Sequence, residues 1–219
     1  MNQAKIRRIV KLLKRESKNW KTPFVSEYSR IVKNPFTTLI SCLLSLRTKD
    51  KTTAIASIRL LKKYNTPERI IKLSTKQIEK LIYPVGFYKT KAKRIKEICK
   101  ILIEKYKGKV PDTFEELIKL KGVGPKTASI TIVYGFNKPK HIPVDTHVHQ
   151  ISNRLGLVKT KTPEKTQLEL EKIIPKEYWY DFNELFVQFG QNICVPVSPF
   201  CSKCPIYHFC PRIGIIKSR

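Results

Sequence analysis

The chain has 219 residues, of which 41% are hydrophobic and 28% charged, a balance that is typical of globular proteins and excludes a disordered chain. Its 44 Lys and Arg against 17 Asp and Glu give a formal net charge of +27, which favours an acidic polymer, most commonly nucleic acid, over a basic surface that only aids solubility. No signal peptide opens the sequence and its longest apolar run, Leu39–Leu46, is far shorter than the ~20 residues a bilayer requires, so we expect a cytoplasmic, nucleoid-associated protein with no membrane partner.

Apolar residues at helical spacing run through the first part of the chain. Ile6, Ile9, Val10 and Leu13 mark one apolar face of a basic N-terminal helix. The pair Asn34–Pro35 supplies a cap and a first helical residue for residues 36–46, which are apolar nearly all round and are predicted to form a buried central helix. Another helix follows from about residue 51 to residue 64, and Asp50 is its expected cap.

The middle of the chain continues as helices separated by short turns. Thr66–Pro67 and the capping box Ser74-x-x-Gln77 begin two short helices, and Thr113-x-x-Glu116 is a second capping box. Between Lys89 and Lys109, nine Lys and Arg stand against two Glu, which predicts a solvated helix face or, given the overall charge, a wall that faces phosphates. Neither a convincing strand ladder nor an internal repeat is visible, so the predicted fold class is all-α.

A Gly-x-Gly turn, Gly122-Val123-Gly124, precedes a helix that begins at Pro125. Glycine reaches positive φ at little cost and proline fits the first helical position, so the pattern predicts a tight turn into a helix N-terminus. Unpaired N–H groups at that end could seat one backbone phosphate, although an ordinary helix–helix turn has the same pattern. Lys126 lies on the first turn of the new helix, and Asp145 is the predicted N-cap of a helix that extends through Arg154.

Four of the six cysteines lie within seventeen residues, in the pattern C-x6-C-x2-C-x5-C. In a reducing compartment this crowding favours a metal over disulfide bonds. Four thiolates suit either one tetrahedral zinc ion or a four-iron cluster, and by chemistry alone zinc is the more frequent occupant. The predicted ligands are Cys194, Cys201, Cys204 and Cys210. The remaining cysteines, Cys42 and Cys99, lie on helical patterns and are interpreted as small core hydrophobes.

Five motifs follow one another along the chain: LLSLRTKD at residues 43–50, GFYKTKA at 86–92, LKGVGPKTA at 120–128, VDTH at 144–147, and the cysteine pattern. Together they resemble the endonuclease III family of the helix-hairpin-helix DNA glycosylase superfamily, and the resemblance spans essentially the whole chain. It implies two helical domains with DNA in the cleft between them. One is a six-helix barrel with the hairpin, about residues 26–139, and the other is a discontinuous domain, residues 1–25 and 140–219, with a [4Fe–4S] cluster loop.

The resemblance implies a bifunctional DNA glycosylase and AP lyase of base excision repair that removes oxidised pyrimidines through a lysine Schiff base and β-elimination. The expected partner is double-stranded DNA with a damaged base or an abasic site, bound by a monomer. Rotation of a base out of the duplex costs least where damage has already weakened its stacking. The alternatives are a monofunctional glycosylase of the same superfamily, which typically lacks a lysine at this position of the hairpin, a non-catalytic helix-hairpin-helix DNA-binding protein, and a zinc-stabilised RNA-binding module.

Family precedent also implies roles for individual residues. The resemblance implies that Lys126 is the nucleophile that attacks the sugar. It also implies that Asp145 is the carboxylate that stabilises positive charge on the sugar and helps to move protons. Without the resemblance, a phosphate contact for Lys126 and a capping role for Asp145 would be the simpler interpretations. Precedent further changes the preferred occupant of the four cysteines from zinc to a [4Fe–4S] cluster.

The resemblance carries over less directly to residues that distort the DNA. In the family a Gln enters the gap left by the flipped base and a Leu wedges the opposite strand, whereas this chain has Arg47 and Phe87. Phe can still wedge between bases, but Arg donates hydrogen bonds and accepts none, which leaves the opposite-base preference open. The loop between the first two cysteines, often basic in relatives, is VPVSPF here, with Lys203 as a partial replacement. The expected DNA contacts are Gly122, Val123, Gly124, Arg47, Phe87, Lys89, Lys91 and Lys203.

Overall fold

The computed structural model describes residues 2–219, which fold as helices joined by short turns. No β-strand occurs in this part of the chain, so the predicted all-α fold class is confirmed. None of the helices in residues 2–219 has the length and apolar character needed to cross a membrane. The α-helices of the described residues are α1 (Gln3–Glu16), α2 (Phe24–Val32), α3 (Pro35–Ser45), α4 (Asp50–Leu61), α5 (Pro67–Ile71), α6 (Thr75–Ile82), α7 (Tyr88–Tyr106), α8 (Phe114–Ile118), α9 (Pro125–Ile130), α10 (Thr146–Arg154), α11 (Pro163–Ile173) and α12 (Trp179–Asn192).

The chain forms two compact units. The continuous unit is Phe24–Lys138 and contains α2–α9, the last of which continues as a π-helical stretch, Thr131–Gly135. The discontinuous unit combines the described residues up to Pro23 with Pro139–Arg219 and contains α1 and α10–α12. Each unit buries its own apolar core, as expected of a domain.

Helix α3 is the buried centre of the continuous unit. Every residue from Phe36 to Leu44 is buried, as the apolar composition predicts. Asn34 begins the helix where expected, because its side chain accepts a hydrogen bond from the Phe36 N–H at 2.9 Å. Helix α7 packs against α3, α5 and α6 and adds one apolar face to the same core, so its basic residues occupy the other faces.

Side-chain caps begin several helices where the sequence predicts them. Ser74 and Gln77 form the complete capping box, with hydrogen bonds of 2.7 and 3.2 Å in the two directions. The second predicted box is only half formed: Thr113 accepts from the Glu116 N–H, but the Glu116 carboxylate accepts hydrogen bonds from Tyr106 and Lys119 instead of returning to the cap. The Glu116 carboxylate is therefore bound by side chains outside the first turn and is not available to the backbone N–H of Thr113.

Asp50 has a different role from the predicted one. It is the first residue of α4, and no side chain caps that helix. Both of its carboxylate oxygens accept from the N–H of Phe24, at 3.2 and 3.0 Å. Phe24 is the first residue of α2, whose N-terminal N–H groups have no partner within their own helix. The prediction that Asp50 caps its own helix was wrong, because the carboxylate stabilises the start of α2 and ties α2 to α4.

The discontinuous unit is built around the apolar faces of α1 and α12. Ile6, Ile9, Val10 and Leu13 are all buried, as the spacing in the sequence predicts. Phe182 and Phe186 of α12 are fully buried and stack with ring centroids 4.1 Å apart. These contacts hold the helices that carry the cysteine-rich C-terminal segment.

Candidate functional site

The Gly-x-Gly turn joins α8 to α9 as predicted, but its two glycines are needed for different reasons. Gly122 has a φ of +90°, and a Cβ at this position would lie 3.1 Å from Cδ of Arg94. Gly124 has φ −93° and ψ 176°, an extended conformation that any residue adopts, and a Cβ there would meet nothing within 4 Å. The predicted need for positive φ is therefore correct at Gly122 and wrong at Gly124. What glycine provides at Gly124 is open space beside the backbone.

Val123 fixes the turn to the core of the continuous unit. Its side chain is 5% exposed, and its N–H donates to the carbonyl of Leu120 at 2.9 Å. The N–H of Val123 is thus used inside the turn, and the exposed backbone belongs to Gly122 and Gly124 on either side. Arg94, which the sequence did not single out, packs its side chain against Gly122 and adds a cation to this region.

Lys126 is the second residue of α9 and is half-buried. Its position is linked to the buried Cys42 of α3: burial raises the pKa of the Cys42 thiol to about 12, and the positive charge of Lys126 acts in the opposite direction. The Lys126 side chain is therefore partly shielded from solvent. This places a primary amine just beyond the exposed backbone of Gly124.

Asp145 caps α10, as the sequence predicts. Its Oδ1 accepts from the N–H of Val148 at 3.0 Å, and the helix extends through Arg154. The capping bond orients the carboxylate at the N-terminal end of the helix, where negative charge is favoured. A role in chemistry is a separate hypothesis, because a cap alone explains this geometry.

Arg154 connects the other end of α10 to the cysteine-rich segment. It is only 7% exposed, and its guanidinium donates to Cys194 Sγ at 3.4 Å, to the Val195 carbonyl at 2.9 Å and to the Pro196 carbonyl at 2.7 Å. No motif in the sequence assigns a function to this residue. The available signal was an arginine on the buried face of an amphipathic helix, which requires internal hydrogen-bond partners.

The four C-terminal cysteines line one pocket beside α10 and the end of α12. Aromatic and aliphatic side chains complete the lining, among them Leu155, Phe189, Ile193, Phe200, Ile206 and Ile215. All six cysteines are free thiols. Cys42 and Cys99 are buried in the core of the continuous unit, which confirms their interpretation as core residues.

This set of donors fits an iron–sulfur cluster. Burial raises the pKa of the Cys194, Cys204 and Cys210 thiols, that of Cys204 to about 12, so a bound cation is needed to hold them as thiolates. Within residues 2–219, no three His, Cys, Asp or Glu side chains are gathered in a way that could hold a single metal ion. The cysteines are instead distributed around a shared apolar space, and a backbone N–H of Arg212 points at Cys210 Sγ at 3.4 Å. Four thiol donors around one apolar space are a set that a cluster with Cys₄ ligation uses.

Among the residues assigned to DNA by resemblance, Arg47 and Phe87 lie side by side in the continuous unit. The guanidinium carbon of Arg47 is 5.7 Å from the centroid of the Phe87 ring. Both are exposed, and both have left-handed backbones, with φ of +50° and +59°. Lys89 and Lys203 are exposed, as contact with a phosphate requires.

Lys91 is turned inward, although it belongs to the same basic run. Its ammonium donates to the carbonyls of Leu44 and Leu46 at 2.9 and 2.5 Å, and to Thr48 Oγ1 at 3.2 Å. An ammonium has three donors, and these contacts use all of them. The placement of Lys91 therefore does not support the expected phosphate contact. Its partners lie 43–47 residues away in the chain, where local patterns give no signal.

Comparison with known proteins agrees with this geometry. Residues 40–176 match the family described as HhH-GPD superfamily base excision DNA repair protein. Endonuclease III of Thermotoga maritima is 49% identical over 177 residues, which cover 81% of this chain and 83% of that protein. Endonuclease III-like protein 1 of Gallus gallus is 44% identical over 175 residues, 79% of this chain but 62% of that longer protein.

Solved structures give the same assignment. A non-covalent endonuclease III–DNA complex has a TM-score of 0.85 at 34% identity and covers 97% of this chain and 96% of its own. A trapped endonuclease III–DNA covalent intermediate has a TM-score of 0.77 at 39% identity, with coverage of 82% and 84%. With the hairpin, the capped Asp145 and the four-cysteine loop in place, these similarities show that the chain belongs to the endonuclease III family, within the HhH-GPD superfamily of base excision DNA repair proteins.

Proposed function

We propose that this chain removes oxidised pyrimidines from duplex DNA and then cuts the strand, with Lys126 as the nucleophile. As a member of the endonuclease III family, the chain is a DNA N-glycosylase and AP lyase of base excision repair. The observation that supports the finer assignment is the position of Lys126, a half-buried primary amine directly after the hairpin. Monofunctional relatives typically lack a lysine here.

In this proposal the hairpin binds DNA and the amine reacts with it. The exposed backbone around Gly124 lets a phosphate approach α9, which positions the strand without reading its sequence. Attack of Lys126 Nζ on C1′ of the sugar forms a C–N bond and breaks the bond to the damaged base, which leaves with the proton that the amine releases. Cleavage of the C1′–O4′ bond, with protonation of O4′, then opens the sugar ring and leaves a protonated imine. The imine acidifies the neighbouring C2′ position, so loss of that proton expels the 3′ phosphate by β-elimination.

Asp145 is proposed to stabilise the positive charge that develops on the sugar and to take part in proton transfer. Its capping bond to Val148 supports this role because it holds the carboxylate in one orientation. An oriented carboxylate needs little reorganisation when charge develops, which is the general basis of electrostatic stabilisation in enzymes.

We propose that Cys194, Cys201, Cys204 and Cys210 hold a [4Fe–4S] cluster, with zinc as the less favoured occupant. When bound, the cluster would supply structural stability by tying the loop to α10 and α12. Arg154 supports this assignment, because it places a buried positive charge and a donor against the Cys194 sulfur. Charge and hydrogen bonds of this kind around the sulfur atoms stabilise a thiolate-bound cluster.

The partner is proposed to be duplex DNA that contains a damaged base or an abasic site, bound by a monomer at the nucleoid. The net charge of +27 supports attraction to the phosphate backbone. The domain assignment is also a proposal: residues 26–139 form the six-helix barrel that carries the hairpin, and residues 1–25 and 140–219 form the cluster domain.

Separate measurement of base release and strand cleavage tests the proposal. Wild type should release thymine glycol from a duplex and cut the strand 3′ to the lesion without alkali. Lys126→Ala should lose both activities, because the same amine starts both steps. Lys121→Ala, which removes an exposed lysine just before the same turn, should keep both and is the matched control.

Other outcomes would identify the alternatives. Base release by wild type with an intact strand would indicate a monofunctional glycosylase. Equal affinity for intact and damaged duplex, with neither product, would indicate a non-catalytic DNA-binding protein. Either result would contradict a nucleophilic role for Lys126.

A further inference from the structure

Arg47 and Phe87 form an exposed and strained pair on the continuous unit. The Phe87 side chain is 59% exposed, although a large aromatic ring gains free energy from burial. Both residues have positive φ, which costs free energy for a residue with a Cβ and is uncommon for bulky side chains. Strain of this kind persists only where surrounding contacts impose it. The contacts that impose it here come from two segments that are distant in sequence.

The segment around Arg47 and the turn before Phe87 touch through their backbones. The N–H of Gly86 donates to Thr48 Oγ1 at 3.2 Å. A Cβ on Gly86 would lie 2.5 Å from the carbonyl oxygen of Arg47, closer than real Cβ atoms come to any heavy atom. Gly86 thus permits the Phe87 turn to lie directly on the Arg47 peptide, and this contact sets the two side chains next to each other.

Lys91, on the first turn of α7, contacts both the end of α3 and the loop that contains Arg47. Helix α3 ends at Ser45, so the carbonyls of Leu44 and Leu46 belong to a helix end that lacks partners of its own. The Lys91 ammonium satisfies both, and positive charge is favoured at that end of a helix. The same ammonium contacts Thr48 Oγ1, the atom that also receives the Gly86 N–H. One cation therefore joins α3, the Arg47 loop and the Phe87 turn.

The burial of Lys91 fits this interpretation. Burial lowers the pKa of Lys91 to about 8, as expected of an ammonium that is partly removed from water. A lysine that served as a surface phosphate ligand would remain solvated. Its hydrogen bonds are instead directed at the loop.

We propose that Lys91 is a positioning residue for base flipping: it locks the Arg47 loop onto the Phe87 turn, so that both side chains enter the DNA as one preformed wedge. This role rests on the proposed function, because only an enzyme that opens the base stack needs such a wedge. A loop that is ordered beforehand loses less conformational entropy when DNA binds and holds the side chains in the productive geometry.

The substitution Lys91→Met tests the role, because it keeps a long apolar stem and removes all three donors. Lys76→Met on α6 is the matched control, since it removes an equal charge from an exposed lysine. Lys91→Met should lower single-turnover release of thymine glycol by about 10- to 100-fold, the usual cost of misplaced groups. It should also reduce the fluorescence rise of a 2-aminopurine placed beside the lesion, which reports unstacking. Lys76→Met should match wild type in both measurements.

A preformed abasic site separates positioning from general support of the fold. No base has to leave the stack there, so borohydride trapping at such a site should persist in Lys91→Met, and the melting temperature should stay close to that of wild type. Thr48→Val, which removes only the shared hydroxyl, should change thymine glycol release and fluorescence in the same direction by a smaller factor. This second variant covers the case in which Lys91→Met does not fold.

Two results would overturn the proposal. One is wild-type excision and wild-type unstacking in Lys91→Met. The other is a parallel fall of excision, abasic-site trapping and melting temperature in both variants, which would show that Lys91 only supports folding. A wild-type protein that neither excises thymine glycol nor forms a trapped complex would instead overturn the proposed function, so the two failures are distinguishable.

Discussion

At the scale of single residues, Asp145 combines a structural contact with proposed chemistry, and two substitutions separate them. Asp145→Asn keeps an N-cap acceptor, because Asn caps a helix about as well as Asp, but it removes the charge. We expect unchanged stability with base release slower by about 10²- to 10⁴-fold. Asp145→Ala should lose the cap as well, and with it ~1 kcal/mol of stability. Denaturant unfolding and single-turnover excision measure the two effects, and wild-type excision by Asp145→Asn would leave only the capping role.

Gly124 gives a second test at this scale, because a Cβ at this position meets no atom of the protein. Gly124→Ala should therefore fold normally but weaken duplex binding by about tenfold, or about 1.4 kcal/mol, if a phosphate approaches this backbone. Gly122→Ala is the contrasting variant, since its φ of +90° strains any side chain and lowers stability by about 1–3 kcal/mol. Fluorescence anisotropy and denaturant unfolding distinguish the two. Unchanged DNA affinity of Gly124→Ala would argue against a phosphate at this position.

Lys91 also predicts a dependence of stability on pH. Its pKa in the folded protein is about 8, below the ordinary value of 10.5, because of burial. Between these pH values the unfolded chain binds more protons than the folded chain, so the free energy of unfolding contributed by this group rises with pH. The free energy of unfolding of wild type, relative to Lys91→Met, should therefore increase from about pH 8 to pH 10.5. Denaturant titrations at several pH values measure it, and a flat or falling difference would mean that the ammonium is not buried.

At the scale of elements, α10 carries Asp145 at its beginning and Arg154 at its end, next to the cysteine loop. We expect purified protein to contain about four iron atoms per chain. Arg154→Lys loses the forked contacts to Cys194, Val195 and Pro196, so it should lose iron to a chelator faster than wild type. Iron content and the decay of visible absorbance measure this without reference to activity. One zinc per chain and no iron would contradict the cluster assignment.

The helices show which parts of the structure follow from the sequence. The N-caps at Asn34, Ser74 and Asp145 were predictable because cap and N–H lie within three residues of each other. The Asp50 cap was not, because its partner Phe24 lies 26 residues away and the carboxylate satisfies the end of another helix. The inward orientation of Lys91 could not be predicted either, because its hydrogen-bond partners also lie far away in the sequence. Local patterns thus predict the element boundaries, whereas tertiary hydrogen bonds decide what individual polar side chains do.

The candidate site divides in the same way. The placement of the four cysteines around one pocket, of Lys126 directly after the turn and of Asp145 at an N-cap was predictable, because each stands in a motif with a fixed spacing. Arg154 and Arg94 were not, since their partners come from distant segments and no motif includes them. Gly124 shows a third case: it lies in the turn that the sequence predicts, but its extended backbone does not need the positive φ that was expected there.

At the scale of the whole molecule, two helical units with separate cores and a net charge of +27 belong to a chain of the endonuclease III family. The charge supports binding to any duplex, so it does not by itself distinguish a repair enzyme from a DNA-binding protein. That distinction depends on covalent chemistry at one amine.

The most direct test is to trap that chemistry with borohydride. Wild type and Lys126→Ala would be incubated with a duplex containing thymine glycol or an abasic site, reduced, and digested for mass spectrometry. We expect a covalent protein–DNA complex with wild type, none with Lys126→Ala, and a modified peptide in which Lys126 carries the sugar. A complex that persists in Lys126→Ala, or a modified peptide that contains a different residue, would contradict the central claim.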